Sequence, residues 1–214
     1  IEYAPEKRVK VFYFTPNVGN RSVTVDLITT DEGCYKIDVF LRGKLVGSAG
    51  GTMSFRENIV VPLDEEALWE AGKGELYEVK ITFCSDEVYS YFGLREVKYD
   101  GYKFLLNGKE IFQKLVLDQG YYPDGIYTAP NVEAMQNDIR IASELGFNGA
   151  RLHQKVFDPK FLYLCDKAGY MVWGEFPSWG VDFSTMKFAG RFLTEWQEAI
   201  KRDFFSSISP TPPW

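Results

Sequence analysis

The sequence is short of several residue types, and each shortage excludes something. Three cysteines, Cys34, Cys84 and Cys165, and one histidine are spread over 214 residues. Without C-x-x-C spacing they cannot supply the ligands of a structural zinc site. They read as buried, reduced thiols, with a Cys34–Cys84 bridge as the competing reading, and this usage leans toward a cytosolic rather than a secreted setting. Apolar runs such as Ile59-Val60-Val61 and Met171-Val172-Trp173 fall far short of the roughly 18–20 residues that a membrane helix needs, so no membrane partner is expected. Positive charge is in deficit, with 24 Lys plus Arg against 30 Asp plus Glu and a net charge of −6. That leaves no basic field for a phosphate backbone, and nucleic acid is excluded as a partner. The first residues carry neither an initiator Met nor a basic-then-apolar leader, so the chain is expected to start within a longer protein.

What is present is ample core material, 45% hydrophobic and 16% aromatic residues. The length suits two domains better than one. Up to about Tyr99 the pattern is short and two-periodic: Val9, Val11 and Tyr13; Val23, Val25 and Leu27; Tyr35, Ile37, Val39 and Leu41; Tyr77, Val79, Ile81 and Phe83. Alternation of this kind marks half-buried strands. Turn signals at Pro16-Asn17, Asp31-Glu32-Gly33, Arg42-Gly43-Lys44, Gly50-Gly51 and Gly72-Lys73-Gly74 punctuate them. About seven antiparallel strands predict an immunoglobulin-like sandwich over 1–99, although a tryptophan at immunoglobulin spacing after the first cysteine is missing.

After Tyr99 the texture changes. A hairpin at Tyr102–Leu106 turns at Asn107-Gly108, and Ile111–Leu117 reads as a buried strand. Asn131 opens a helix carrying Val132, Met135, Ile139, Ala142 and Leu145, closed by Gly146. Phe147–His153 is short enough for a second strand. Asp158 and Pro159 cap a second helix that ends at Gly169. Tyr170–Gly174 reads as a third strand, and a third helix is expected from Ser184, with Phe188, Phe192, Trp196, Ala199 and Ile200 on one stripe. Strand and helix in alternation imply a parallel sheet, and no G-x-G-x-x-G fingerprint marks it as nucleotide-binding. A closed (β/α)8 barrel needs roughly 250 residues, so 100–214 holds about three of its strand–helix units.

The join between the textures, Asp86-Glu87-Val88-Tyr89-Ser90-Tyr91-Phe92-Gly93-Leu94-Arg95 followed by Phe104-Leu105-Leu106-Asn107-Gly108-Lys109, resembles glycoside hydrolase family 2. The likeness continues through Asp138-Ile139, Gly146-Phe147-Asn148-Gly149-Ala150-Arg151, Leu164-Cys165-Asp166-Lys167-Ala168-Gly169 and Val172-Trp173-Gly174-Glu175. It implies an immunoglobulin-like sandwich followed by a partial TIM barrel, and a parent enzyme that is a retaining β-glycosidase of β-galactosidase or β-glucuronidase type. The family's acid/base glutamate follows the fourth barrel strand, after a segment resembling R-D-x-N-H-P-S-I. Here Arg202-Asp203 runs into Phe204-Phe205-Ser206 instead. The resemblance therefore implies that both catalytic glutamates lie outside this chain, which alone is expected to be inactive. A carbohydrate substrate is implied for the parent, with no cofactor assigned.

Barrel active sites sit at the C-terminal ends of the strands, which makes Asp118 and Glu175 pocket candidates. Retaining chemistry needs two carboxyl groups about 5–5.5 Å apart, and neither residue is assigned as nucleophile. Arg151 matches a family arginine that lies beside the nucleophile, where a fixed cation holds a carboxylate ionised. His153, two residues on, points the same way by alternation and is a sugar-contact candidate. Trp179 is the aromatic near Glu175 best suited to stack on a pyranose face, and Tyr121, Tyr122 and Tyr127 mark the long first strand–helix loop. The competing reading is a non-catalytic carbohydrate-binding or interaction module that self-associates through the sandwich or through exposed barrel edges.

Overall fold

The computed structural model describes residues 4–175 and Pro177; the third helix expected from Ser184 and Trp179 lie outside the described residues. The first half is built from β1 (Val9–Asn17), β2 (Ser22–Thr29), β3 (Gly33–Leu41), β4 (Lys44–Met53), β5 (Arg56–Pro62), β6 (Tyr77–Phe83) and β7 (Asp86–Phe92). They form two antiparallel sheets, ordered β1-β2-β5 and β4-β3-β6-β7. The inward positions of both sheets meet in one core, in which Val23, Val25, Leu27, Ile37, Val39, Ile81 and Phe83 are fully buried. Tyr77 stacks flat on Phe92 at 5.0 Å, and its hydroxyl accepts from the Ala67 N–H and donates to the Glu65 carbonyl.

Two expectations about this half are corrected. Gly50-Gly51 is not a turn but lies inside β4, where Gly51 stands across the strand pair from Tyr35. Cys34 and Cys84 are free and exposed, and only Cys165 is a buried thiol. Cys34 falls on the outward parity of β3, and Cys84 sits in the β6–β7 turn at φ 52°.

A small antiparallel sheet of β8 (Val97–Asp100), β9 (Lys103–Leu106) and β10 (Lys109–Glu110) follows, with turns at Gly101 and at Asn107-Gly108, all three of which have positive φ. The change of texture at Tyr99 thus falls inside β8. Next come β11 (Leu115–Asp118), α1 (Val132–Glu144), β12 (Gly149–Leu152), α2 (Pro159–Ala168) and β13 (Met171–Gly174), and the three strands form a parallel sheet in that order. The strand expected over Ile111–Leu117 begins only at Leu115. Its first half is held instead by Asn148, whose side chain accepts from the Lys114 N–H and donates to the Phe112 carbonyl, leaving the Phe112 ring exposed. The helix caps are as the sequence implies: Asn131 accepts from the Ala134 N–H, Asp158 from the Lys160 N–H, and Gly169 takes φ 69°.

Both helices cover one face of this sheet. Ala150 and Leu152 are buried there with Met135, Ile139, Phe161 and Cys165. The opposite face carries Leu117, Arg151 and Trp173, adjacent in register and exposed. The two halves meet at a close seam, where the Trp69 Nε1–H donates to the Asp166 carbonyl at 2.7 Å and the Gly72 N–H to the Gly169 carbonyl at 2.8 Å. The Tyr91 hydroxyl donates to Asp166 Oδ2 at 3.2 Å, and Arg95 lies over the Trp69 ring. A Cβ at Gly74 or Gly169 would collide with backbone across this seam, so both positions require glycine.

Candidate functional site

Parallel strands deliver their C-terminal ends to one rim, and what stands there follows from parity. Arg151 is paired in register with Leu117 and Trp173, and Glu175 comes two residues after Trp173, so all four address the side away from the helices. The result is an ion pair in which the Arg151 Nε–H donates to Glu175 Oε2 at 2.8 Å. The other carboxylate oxygen accepts from the Gln154 N–H at 2.9 Å and from the Gln154 side-chain amide at 3.2 Å. His153 Nε2 stands 3.8 Å from that same oxygen, and its Nδ1 lies 3.5 Å from the Gln119 amide. Gln154 takes φ 51°, a left-handed turn that aims its N–H at Glu175.

The electrostatics follow from these contacts. Burial, the largest single influence on Glu175, pushes its carboxyl up, but the Arg151 hydrogen bond, the Gln154 N–H and the Arg151 charge together hold it below the usual carboxylate range. It is therefore an ionised anchor at neutral pH, not a proton donor. Arg151 is about half exposed, with 52% of its side chain open against 21% for Glu175. A guanidinium fixed on one edge by Nε presents its remaining donors outward, where they suit a carboxylate or an oxyanion.

Asp118 stands apart from this group. It is in register with Leu152 and Gly174, the parity that faces the helices, and accepts from the Gly120 N–H at 2.7 Å. It borders a cavity of about 280 Å³ between β11 and α1 with Asp138, Tyr121 and Tyr170. Burial raises its pKa, with the Gly120 N–H opposing and the nearby Asp138 charge adding to the rise. The structure thus brings Arg151, His153 and Glu175 together and leaves Asp118 on the other face of the sheet.

Sequence reasoning passed over Gln154 and Lys155 as site residues. Both follow the second strand at once, and an amide and an ammonium immediately after an Arg-x-His strand end are the signal that was there to use. Lys155 Nζ donates to the carbonyls of Gly120 and Tyr127, each at 2.8 Å, and lies over the Tyr127 and Phe157 rings. Among the described residues no group of three or more His, Cys, Asp or Glu could hold a metal ion, and no helix is long and apolar enough to cross a membrane.

No model of a known protein family matches the chain. Individual proteins do. A β-galactosidase of Bacteroides ovatus is 28% identical over 166 residues, covering 73% of this chain and 19% of the relative. A β-galactosidase of Thermoanaerobacterium thermosulfurigenes is 29% identical over 121 residues, 55% of this chain and 17% of the relative. The chain therefore spans about a fifth of the length of these curated relatives. Among solved structures, a Ruminococcus gnavus β-glucuronidase in complex with D-glucuronic acid superposes with a TM-score of 0.81 at 20% identity, over 98% of this chain and 36% of that one. A family 2 β-galacturonidase from Eisenbergiella tayi bound to galacturonate gives 0.78 at 21% identity, over 94% and 38%.

Proposed function

We infer, for a chain whose sequence relatives and fold are those of glycoside hydrolase family 2, that it forms the non-catalytic approach to a retaining β-glycosidase site. On this reading the two-sheet half is the family's immunoglobulin-like sandwich. The parallel half is the first three strands of a (β/α)8 barrel, whose interior is the face that carries Leu117, Arg151 and Trp173. The catalytic glutamates belong to later strands and are supplied from outside these 214 residues. The observation that carries the reading is the Arg151–Glu175 pair at the C-terminal ends of adjacent parallel strands, on the side away from the helices.

The chemistry assigned to the chain's own residues is electrostatic. Glu175 and Gln154 hold Arg151 at one angle, and Arg151 keeps a carboxylate nucleophile ionised as it attacks the anomeric carbon. His153, beside Glu175 and Gln119, lines the approach to the sugar. Trp173 supplies an apolar surface beside them. Asp118 supports the first strand–helix loop and does not touch the sugar. The substrate is a β-linked glycoside.

The test is release of p-nitrophenol from β-galactoside, β-glucuronide and other β-glycosides, assayed on the 214-residue chain and on the longest polypeptide its gene encodes. Turnover by the longer polypeptide alone supports the reading. Turnover by the 214-residue chain that Glu175→Gln abolishes would overturn it, since the carboxylate would then be doing covalent or proton-transfer chemistry. A second reading, a non-enzymatic module that self-associates, draws on the two edges of the parallel sheet, which pair with no strand among the described residues, and on the exposure of Leu117 and Trp173. Sedimentation of the 214-residue chain tests it, and a monomer at all concentrations would rule it out.

A further inference from the structure

The long connection between β11 and α1, residues 119–131, has few contacts of its own. Its internal bonds are the reciprocal pair between Tyr122 and Ile126 and the Thr128 N–H to the Gly125 carbonyl. Tyr121, Ile126 and Tyr127 are exposed, the last two near the middle of the loop, and Ile126 holds φ 54°. Such a segment, with little burial and a strained residue at its tip, would open readily unless something tied it down.

Two contacts tie it down: the Tyr122 hydroxyl donates to Asp138 Oδ2 on α1 at 2.7 Å, and Lys155 grips the loop at two carbonyls. The Lys155 ammonium donates to Gly120 at the start of the loop and to Tyr127 just past its middle, 2.8 Å each, so one cation clamps the stretch between them. The Tyr127 ring, 4.2 Å from the charge, and the Phe157 ring, 5.1 Å away, complete the enclosure. Gly120 is shaped to receive it: at φ +63° a Cβ would meet Lys155 Nζ at 2.8 Å and the Phe157 ring at 2.9 Å. Burial pulls the Lys155 pKa down, opposed by the charges of Asp118 and Asp158. A half-buried lysine held by two carbonyls and two ring faces is a strong anchor, because each hydrogen bond is charge-assisted and the one to Gly120 is partly buried.

The position of this anchor in the chain gives it a second consequence. Residues 153 to 155 act in succession: His153 and Gln154 address Glu175, and Lys155 addresses the loop. We propose that Lys155 is a positioning residue which couples the 119–131 loop to the turn whose His153 and Gln154 address Glu175, so that the Tyr127 ring, packed on that ammonium, stands at a fixed place beside the site as a ring-binding surface for the sugar or its aglycone. The loop is then held by that ammonium, with the Tyr122–Asp138 bond beside it, rather than left as a passive connection. This deepens the glycosidase reading and rests on it for the sugar, but the anchor itself does not.

Hydrogen exchange on the 214-residue chain tests the anchor without any turnover. In Lys155→Met and in Gly120→Ala, the amides of Tyr122, Ile126 and Thr128 are expected to exchange about tenfold faster or more, while β3 and β6 amides keep their rates. Lys155→Gln, which retains a donor for one carbonyl, should recover part of the protection. Unchanged loop exchange in Lys155→Met overturns the proposal. So does an equal loss of protection in α1, β12 and the loop together, because Lys155 would then support the whole unit and not the loop. A loosened loop with a silent glycoside panel sinks the glycosidase reading alone, and a rigid loop with an active enzyme sinks the anchor alone.

Discussion

The two halves of the molecule solve the burial problem differently. Seven antiparallel strands close on each other so that both inner faces meet, and the largest core side chains, Tyr77, Phe83, Leu27 and Ile37, are completely buried. The parallel sheet buries only the face under α1 and α2, while Leu117 and Trp173 on the other face are 53% and 48% exposed. Parallel sheets are ordinarily covered on both sides, and the uncovered side here is the one that holds the Arg151–Glu175 pair. On the proposed reading the difference separates scaffold from site: the sandwich buries its apolar residues on both inner faces, and the parallel half leaves one face open at its strand ends.

The largest effect that would break this comparison lies in the sandwich core. Phe83→Ala should cost about 3–5 kcal/mol in urea unfolding, whereas Leu117→Ala on the uncovered face should stay within about 0.5 kcal/mol. Equal costs would mean that the uncovered face is packed after all. Next in size is the seam between the halves. Trp69→Phe removes the bond to the Asp166 carbonyl and should cost about 1–2 kcal/mol, read as a lower urea midpoint.

The seam should also respond to pH. Burial raises the Asp166 pKa, and Arg95 and Tyr91 offset it only in part. The folded state therefore binds a proton that the unfolded chain has lost above about pH 3.9. This contribution to stability is complete below that value and is lost as pH rises through the elevated folded pKa. Asp166→Asn, which still accepts from the Tyr91 hydroxyl, should flatten that part of the urea-midpoint profile against pH. A profile of unchanged slope would contradict the burial of this carboxyl. The smallest effect is Glu175→Gln. The pair is partly exposed, so it should change stability by less than about 1 kcal/mol, while the Arg151 Nε–H resonance should shift and exchange faster in NMR spectra.

Much of this was legible in the sequence because it depends on short-range pattern. Period-two alternation located β2, β3 and β6 with their faces, whereas in β1 it chose Val11 and Tyr13 where the structure buries Phe12 and Phe14 after a register shift between Val9 and Val11; Asn131, Asp158 and Gly169 marked helix ends through the backbone groups they satisfy. What was hidden depends on partners distant in the chain. Gly50 and Gly51 look like a turn until Tyr35 is known to lie across from them. Phe112 looks buried until Asn148 takes over the backbone groups beside it. At the site, Arg151, His153 and Glu175 could be nominated from strand ends, but the separation of Asp118 from them depends on β11 starting at Leu115 and on the register of its pairing with β12. The roles of Gln154 and Lys155 depend on a left-handed turn and on a loop returning from 28 to 35 residues earlier.

On the proposed reading, Arg151 at the parallel strand ends serves a glycosidase site that the sandwich only supports. The most direct measurement is kcat/KM of Arg151→Met in the longest polypeptide the gene encodes, on whichever p-nitrophenyl β-glycoside the wild type hydrolyses. The account predicts a fall of about a hundredfold or more with the unfolding midpoint unchanged. An unchanged kcat/KM in a folded variant would contradict it.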